Sequence, residues 1–275
     1  MYDIIMTIGD KQEITKISIK SAINQTLKYK NFIFVIDTIT REEGDFIYSN
    51  LKDIERSIIL KTNRVGPGMA RQVGVNAATS KYMAFLDYDD IWHPRKLELQ
   101  ISLLEKEQAD FSFTSYKAVN IDNKNILFHV HCKRKLSIFN LLICDPIGLS
   151  TVVCRRNLFQ QKMQLSHEKK RWDYITWFKL FRSFNPKQAI CSDYLTLIVK
   201  RSNSISSNYW NTASGVKSMI NAFHKLGFDL LFSYFITFLY SFLQIFVKLK
   251  RITFKYILPK SKNVKDYQIN KYLNF

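Results

Sequence analysis

Cysteine is scarce in this sequence, which has four cysteines among its 275 residues: Cys132, Cys144, Cys154 and Cys191. No two of them form a C-x-x-C pair, and their spacing matches no zinc-binding pattern. The sequence therefore predicts reduced, mostly buried thiols in a cytosolic protein rather than a structural zinc site.

Several other common signals are missing. The N-terminal Met1-Tyr2-Asp3 has neither a basic flank nor a long apolar run, so we expect no secretory signal peptide and a chain that stays in the cytoplasm. No G-x-S-x-G motif supports Ser-His-Asp chemistry, and no internal repeat or low-complexity tract occurs. Apolar residues make up 47% of the chain, which is enough for a sizeable core and argues against global disorder.

Acidic residues are outnumbered by basic ones, 23 against 41, which gives a formal net charge of +18. Such a charge attracts nucleic acid, phosphorylated substrates or acidic lipid headgroups. The basic residues are spread along the chain and no recognised nucleic-acid-binding module is present. We therefore expect no nucleic-acid partner and keep nucleic-acid binding only as a less favoured hypothesis.

The first 115 residues alternate between two hydrophobic patterns. Apolar runs typical of buried strands occupy 2–8, 31–36, 57–60 and 82–86, and helical spacing occupies 13–27, 69–78 and 94–107. This alternation predicts an α/β fold with a parallel sheet covered on both faces. Ligands of such sheets bind at the carboxyl ends of the strands, where Asp37 and the acidic residues 87–90 fall.

The middle of the chain continues with shorter predicted elements. Strands are predicted at 111–119, 126–130, 150–154 and 194–199, and a helix at 173–183.

The strongest local signal is the segment 84–90, AFLDYDD, in which Asp87, Asp89 and Asp90 follow an apolar strand. Carboxylates this close repel one another unless a cation compensates their charge. Mg²⁺ and Mn²⁺ prefer oxygen ligands and commonly bind one or two carboxylates together with substrate phosphates. A divalent-metal site is the favoured interpretation, and a solvated acidic turn before the next helix is the alternative.

Two adjoining segments resemble glycosyltransferase family 2: 68–78, GMARQVGVNAA, and 81–97, KYMAFLDYDDIWHPRKL. In that family a Gly-x-x-x-Ala-Arg-Asn-x-Gly helix precedes a Phe-Leu-Asp-x-Asp-Asp strand end. The resemblance implies a GT-A fold, which is Rossmann-like with a mostly parallel sheet flanked by helices. It also implies a nucleotide-diphosphate sugar as donor and inversion at the anomeric carbon.

The same resemblance implies roles for individual residues. Asp89 would ligate a Mn²⁺ or Mg²⁺ ion that bridges the donor diphosphate, Asp87 would contact the ribose or the metal, and Asp90 would lie beside them. For the nucleotide, Asp37 would accept a hydrogen bond from the base, Thr7 would line the floor of the site, and Arg71 would approach the nucleotide. The sequence departs from the family at 6–9 and 37–40, where MTIG and DTIT replace Pro-Thr-x-Asn and Asp-Asp-Gly-Ser.

A candidate catalytic base comes later in the chain. The segment 172–180, WDYITWFKL, resembles the family's Glu-Asp-x-x-x-Trp pattern, with Asp173 at the position of the base. A carboxylate there would accept the proton of the acceptor hydroxyl group. The alternative is an acid favoured at a helix N-terminus by the helix dipole.

The C-terminal part differs from the rest. Residues 228–247 carry one charge, and the polar residues of this region share one helical stripe: Asp229, Ser233, Thr237, Ser241, Gln244 and Lys248. A basic stretch follows. An in-plane helix on a membrane surface, through residues 228–262, is favoured over a membrane span and over a helix docked on the core.

These patterns predict a catalytic domain at 1–205, whose halves 1–110 and 111–205 bind donor and acceptor, and a helical, basic, membrane-associating region at 206–275. The resemblance to glycosyltransferase family 2 implies sugar transfer to a lipid-linked saccharide for bacterial surface polysaccharide, at the cytoplasmic face of the inner membrane. A non-catalytic, membrane-associated binding protein of the same fold is the alternative.

Overall fold

A computed structural model describes residues 1–9, 13–38, 40–120, 125–143, 145–168 and 171–200. It also describes isolated positions near the C-terminus, namely 220, 221, 224, 229, 231, 233–235, 237–239 and 242. Most of the predicted region 206–275 therefore lies outside the described residues, as does Cys144.

Four parallel strands form the first half of the sheet. They are β1 (Tyr2–Ile8), β2 (Asn31–Asp37), β3 (Ser57–Thr62) and β4 (Tyr82–Asp87), in the order β3-β2-β1-β4. Strands β1 and β2 and most of β4 are buried, as expected for strands covered on both faces. The predicted parallel sheet is confirmed, and Asp37 and Asp87 are the last residues of their strands.

Helices connect these strands: α1 (Glu13–Ile23), α2 (Arg41–Leu51), α3 (Pro67–Ala77) and α4 (Lys96–Lys106). Helix α1 ends four residues before the predicted 27, because Gln25 turns its side chain to the main chain of the next segment. Its Nε2 donates to His93 O at 2.9 Å and its Oε1 accepts from Leu97 N at 3.0 Å. Helix α3 begins two residues earlier than predicted, with Pro67 in its first turn.

Helix α2 was not predicted from the sequence. The Thr40 side chain caps it by accepting a hydrogen bond from Glu43 N at 3.3 Å, and two glutamates occupy its first turn. Only Gly44, Ile47 and Leu51 are buried along it. This narrow apolar face is why hydrophobic periodicity did not indicate a helix.

The second half of the sheet mixes directions. Strands β5 (Ile91–Trp92), β6 (Phe111–Asn120), β7 (Ile126–Val130), β8 (Val153–Arg155) and β9 (Gln188–Lys200) extend it in the order β4-β8-β6-β9-β5, with β7 on β6. The predicted strand 150–154 is wrong in its first part, because Leu149–Thr151 is a 3₁₀ turn. Strand β9 begins six residues earlier than predicted and pairs in parallel with β6.

Two hydrophobic clusters cover the two faces of the sheet. One contains residues of α3, of α5 (Ile138–Ile143) and of α6 (Trp172–Phe184), and the other contains residues of α2 and α4. The described cysteines, Cys132, Cys154 and Cys191, are buried and form no disulfide bond, as predicted. Burial raises the pKa of the Cys191 thiol, which is consistent with a packing role.

Helix α3 joins the two halves of the chain through a buried amide. Gln72 Oε1 accepts from Leu165 N at 2.8 Å, and its Nε2 donates to Phe159 O at 3.3 Å. A Cβ atom added at Gly68 would lie 2.1 Å from Ser166 O, so only glycine permits this approach. The contacts fix the segment before α6 relative to the carboxyl end of the parallel strands.

Within the part of the chain that the structure describes, no helix has the length and apolar character needed to cross a membrane.

Candidate active site

The acidic turn that follows β4 lies at the carboxyl edge of the parallel sheet. Asp90 N donates to Asp87 O at 3.1 Å, which closes the turn before β5 begins at Ile91. Thr7, the residue paired with Asp87 on β1, ends next to it and is buried. The predicted floor residue and the acidic turn therefore lie at the same edge of the sheet.

Arg71 links helix α3 to this turn. Its Nη2 donates to Asp87 Oδ1 and its Nη1 donates to Pro67 O at 2.8 Å. The guanidinium carbon lies 4.8 Å from the ring centre of Trp172, the first residue of α6. Arg71 is 6% exposed, so its direct role is to connect α3, β4 and α6 around the site.

Asp90 differs from its two neighbours because its side chain is buried. Its Oδ1 accepts from Val199 N at 3.0 Å, which ties the acidic turn to β9. Burial raises the pKa of Asp90 well above its ordinary value, and the charges of Asp89 and Asp87 raise it further. Asp87 and Asp89 are partly exposed. Among the three predicted metal ligands, Asp90 is therefore the one whose buried side chain holds the turn in place.

Ser150 supports the same turn and was missed as a site residue by the sequence analysis. Its Oγ accepts from Asp87 N at 3.0 Å, and its main-chain oxygen accepts from Trp92 Nε1 at 2.7 Å. A hydrogen bond from Ser150 also lowers the pKa of Asp90, against the larger effect of burial. A small polar residue after Gly148 carries no sequence signal for this role, which depends on the 3₁₀ turn.

Asp173 lies in the first turn of α6, as predicted, and the fold brings it to the acidic turn. Burial raises the pKa of its carboxyl group. The negative charge of Asp87 raises this pKa further, whereas a hydrogen bond from Tyr174 N, at 2.9 Å, and the charge of Arg71 lower it. Asp173 is thus close enough to Asp87 and Arg71 to interact with their charges. A carboxylate with a raised pKa is a stronger base near neutral pH.

Asp145 is a second carboxylate beside Asp173 and was not singled out in the sequence. Burial first, and the charge of Asp173 second, raise the pKa of Asp145 to about 8. Its Oδ1 accepts from Ile147 N at 3.3 Å, so the segment leading to Ser150 holds it. Neither a motif nor a spacing connects residues 145 and 173, and only the fold shows their proximity.

Asp37 organises a loop at the end of β2. Its Oδ1 accepts from Thr62 Oγ1 and Val65 N, both at 2.8 Å, and its Oδ2 accepts from Gly66 N at 3.1 Å. Gly66 has a φ of 95°, which favours glycine, and it precedes α3. A carboxylate offers about four lone-pair positions. Asp37 therefore keeps capacity for one further donor.

Among the residues that the structure describes, no three His, Cys, Asp or Glu side chains converge as a metal-binding group. The chemistry of the turn nevertheless fits a divalent cation. Asp87 and Asp89 offer oxygen ligands, their charges act on the buried Asp90, and Mg²⁺ needs only one or two carboxylates when phosphates supply the rest. The residues present are thus compatible with the predicted metal.

The fold is that of known glycosyltransferases. The structure of S. aureus TarS 1-349 in complex with UDP-GlcNAc matches it with a TM-score of 0.64 at 17% identity, and the match covers 99% of this chain and 78% of that one. The predicted α/β fold class, of the GT-A type, is confirmed.

The sequence profile described as glycosyl transferase family 2 matches residues 3–200. TuaG of Bacillus subtilis strain 168, named for teichuronic acid biosynthesis, is 27% identical over 77% of this chain and 83% of its own length. The Escherichia coli protein named UDP-Glc:alpha-D-GlcNAc-diphosphoundecaprenol beta-1,3-glucosyltransferase WfgD is 28% identical over 76% of this chain and 80% of its own length. The chain belongs to glycosyl transferase family 2, and it is a glycosyltransferase.

Proposed function

We propose that this enzyme transfers a sugar from a nucleoside-diphosphate sugar to a hydroxyl group of a lipid-linked saccharide, with inversion at the anomeric carbon. The observation that carries the proposal is that Asp173 lies close enough to Asp87 and Arg71, at the carboxyl edge of the sheet, for their charges to act on its carboxyl group. A base and a diphosphate-binding turn are both needed for this transfer. The folded chain supplies candidates for both at one place.

The acidic turn is proposed to bind the donor diphosphate. Asp89, together with Asp87, would hold a Mn²⁺ or Mg²⁺ ion, which when bound stabilises the negative charge of the leaving diphosphate. Asp90 and Ser150 keep the turn in position through their hydrogen bonds with Val199 N and Asp87 N. Arg71 orients Asp87 through its hydrogen bond, and its positive charge partly offsets the cluster of carboxylates.

The nucleotide is proposed to extend along the ends of β1 and β2. Thr7 would line the floor of the nucleotide site. Asp37 would accept a hydrogen bond from the nucleobase with its remaining lone pair. The loop around Gly66 is already ordered by Asp37. The Asp37 carboxylate would then both order the loop and recognise the nucleobase.

In the proposed step Asp173 accepts the proton of the acceptor hydroxyl group. The acceptor oxygen forms a bond to the anomeric carbon, and the bond between that carbon and the diphosphate oxygen breaks. The nucleoside diphosphate leaves with the electron pair, on the face opposite the incoming oxygen. One carboxylate suffices as base because no covalent sugar–enzyme intermediate is required.

The names of two relatives support the proposed acceptor class. WfgD is named for a GlcNAc-diphosphoundecaprenol acceptor, and TuaG is named for teichuronic acid biosynthesis. We place the reaction in bacterial surface polysaccharide synthesis, at the cytoplasmic face of the inner membrane.

A donor screen tests the proposal. The full chain is incubated with Mn²⁺ and a panel of UDP-, GDP- and dTDP-sugars, and both hydrolysis and protection against thermal unfolding are measured. One nucleotide class should be hydrolysed and should raise the melting temperature only when Mn²⁺ is present. Failure of every donor to do either, in the presence of an undecaprenol diphosphate sugar, would contradict the proposal.

A further inference from the structure

The described part of the C-terminal region has an apolar face that points away from the protein. Residues 231, 233–235, 237–239 and 242 are helical. Six large apolar side chains follow the spacing i, i+3, i+4, i+7, i+8 and i+11, which lies on one side of a helix. All six are exposed, from 38% at Leu239 to 80% at Leu231; the other four are Tyr234, Phe235, Phe238 and Phe242. We call them the aromatic face.

On the opposite side of the same segment, the two described residues are polar and buried. Ser233 and Thr237 are 0% and 1% exposed, and Ser233 Oγ donates to Asp229 O at 2.9 Å. A helix docked on a soluble domain normally buries its apolar side and exposes its polar side. Among the described residues of this segment, the large apolar side chains are exposed, and Ser233 and Thr237 are buried.

Charge decides what covers the aromatic face. From residue 230 to residue 265 the sequence has no acidic residue, and it has seven basic ones, at 248, 250, 251, 255, 260, 262 and 265. The whole chain carries +18, so a second copy placed on this face would bring like charges together. An anionic lipid surface instead attracts Lys and Arg residues that lie near it.

The residue types of the aromatic face suit the boundary between headgroups and acyl chains. Phe and Leu side chains partition into the acyl region, and the ring of Tyr234 with its hydroxyl group matches the polar interface. Phe238 and Phe242 stack with their ring centres 6.1 Å apart, which makes a continuous apolar surface.

We propose that the aromatic face inserts into the surface of an anionic bilayer, in plane, with the buried serine and threonine side toward the protein. This proposal does not depend on the donor or on the metal, because binding to vesicles is measured without either. It specifies how a lipid-linked acceptor and the enzyme would be held at one surface.

The test is vesicle flotation with the full chain. Vesicles of phosphatidylglycerol and phosphatidylcholine are compared with vesicles of phosphatidylcholine alone, using the wild type and the double variant Phe235→Gln/Phe238→Gln. The matched control is Phe46→Gln/Phe139→Gln, since these two phenylalanines are also exposed but lie on α2 and α5. The thermal unfolding temperature of each protein shows whether the variants remain folded.

We expect the wild type to float with anionic vesicles, the Phe235/Phe238 variant to bind at least tenfold more weakly, and the control to stay within twofold of the wild type. All three should unfold at similar temperatures. Equal vesicle binding by both double variants would overturn the proposal. So would a wild type that does not bind vesicles but forms a dimer that the Phe235/Phe238 variant loses, since the face would then contact a second copy.

Discussion

Arg71 and Asp87 form a charge-assisted hydrogen bond between helix α3 and the last residue of strand β4, and the Arg71 guanidinium also stacks on Trp172. Three elements thus meet at one side chain, of which 7% is exposed. The family pattern has an acidic residue where this chain has Trp172. The structure shows that the indole ring contacts the same arginine through its face.

Replacement of Arg71 tests this junction. Arg71→Met keeps much of the aliphatic volume but leaves Asp87 without its cation, so we expect a loss of about 1–3 kcal/mol in the free energy of unfolding, below the value for fully buried pairs because Asp87 is partly exposed. The transfer rate should fall with it. Arg41→Met, at an exposed ion pair with Asp45, is the matched control and should change the free energy by less than about 0.5 kcal/mol. Equal urea midpoints for the two variants would contradict the role of Arg71.

Asp173→Asn tests the base. The amide cannot accept the proton of the acceptor hydroxyl group, so we expect kcat to fall by about 10²–10⁴-fold. Folding should not suffer, because the substitution removes a carboxyl group whose charged form is disfavoured by burial. Steady-state transfer and thermal unfolding of the same preparation are the measurements, with the exposed Asp53→Asn as control. An Asp173→Asn enzyme with near wild-type kcat would show that Asp173 is only a helix-terminal acid.

The raised pKa of Asp145 predicts how the free energy of unfolding depends on pH. Its carboxyl group has a pKa of about 8 in the folded chain and an ordinary value of 3.8. Between these values the folded chain binds more protons than the unfolded chain, so the free energy of unfolding falls as pH rises and levels off above pH 8. The pKa values of Asp90 and Asp173 are also raised and give a slope of the same sign.

Asp145→Asn removes one of these contributions and leaves the others. We expect the free energy of unfolding, from urea titrations at pH 5, 7 and 9, to decline less with pH than in the wild type. The variant should therefore gain stability relative to the wild type at pH 9. Parallel pH curves for the two proteins would mean that Asp145 is ionised in the folded chain at neutral pH.

Ser150→Ala tests the support beneath the acidic turn. The substitution leaves the Asp87 N–H group without its acceptor, and we expect a loss of about 1–3 kcal/mol in the free energy of unfolding. The Mn²⁺ concentration for half-maximal activity should also rise, which a purely structural loss elsewhere would not cause. Ser49→Ala on α2, where the exposed hydroxyl donates to Phe46 O at 2.7 Å, is the control and should leave both values unchanged. An unchanged Mn²⁺ requirement for Ser150→Ala would contradict its role in positioning the turn.

The sequence predicted those parts of the fold that depend on local pattern. Continuous apolar runs identified β1, β2 and β4, and the acids at their ends placed Asp37 and Asp87 at the carboxyl edge. Helix α2 was not predicted because its apolar face is narrow. The 3₁₀ turn at Leu149–Thr151 was not predicted because a short apolar run resembles a strand.

The site was predicted less completely than the fold. Asp87, Asp89 and Asp173 belong to recognisable motifs, whereas Ser150 and Asp145 reach the site through contacts between segments more than 20 residues apart. Asp90 illustrates the same limit, since its position in the motif does not reveal that its side chain turns inward to Val199 N. Tertiary contacts of this kind leave no periodic signal in the sequence.

The central claim is that the acidic turn binds the donor diphosphate through a divalent cation. Its most direct test is sugar transfer to an undecaprenol diphosphate saccharide by the wild type, Asp89→Ala and Asp53→Ala, each after removal of metal with EDTA and after addition of Mn²⁺. We predict that Mn²⁺ restores transfer in the wild type and in Asp53→Ala but not in Asp89→Ala, while all three unfold at similar temperatures. Full transfer in EDTA, or an active Asp89→Ala enzyme, would contradict the claim.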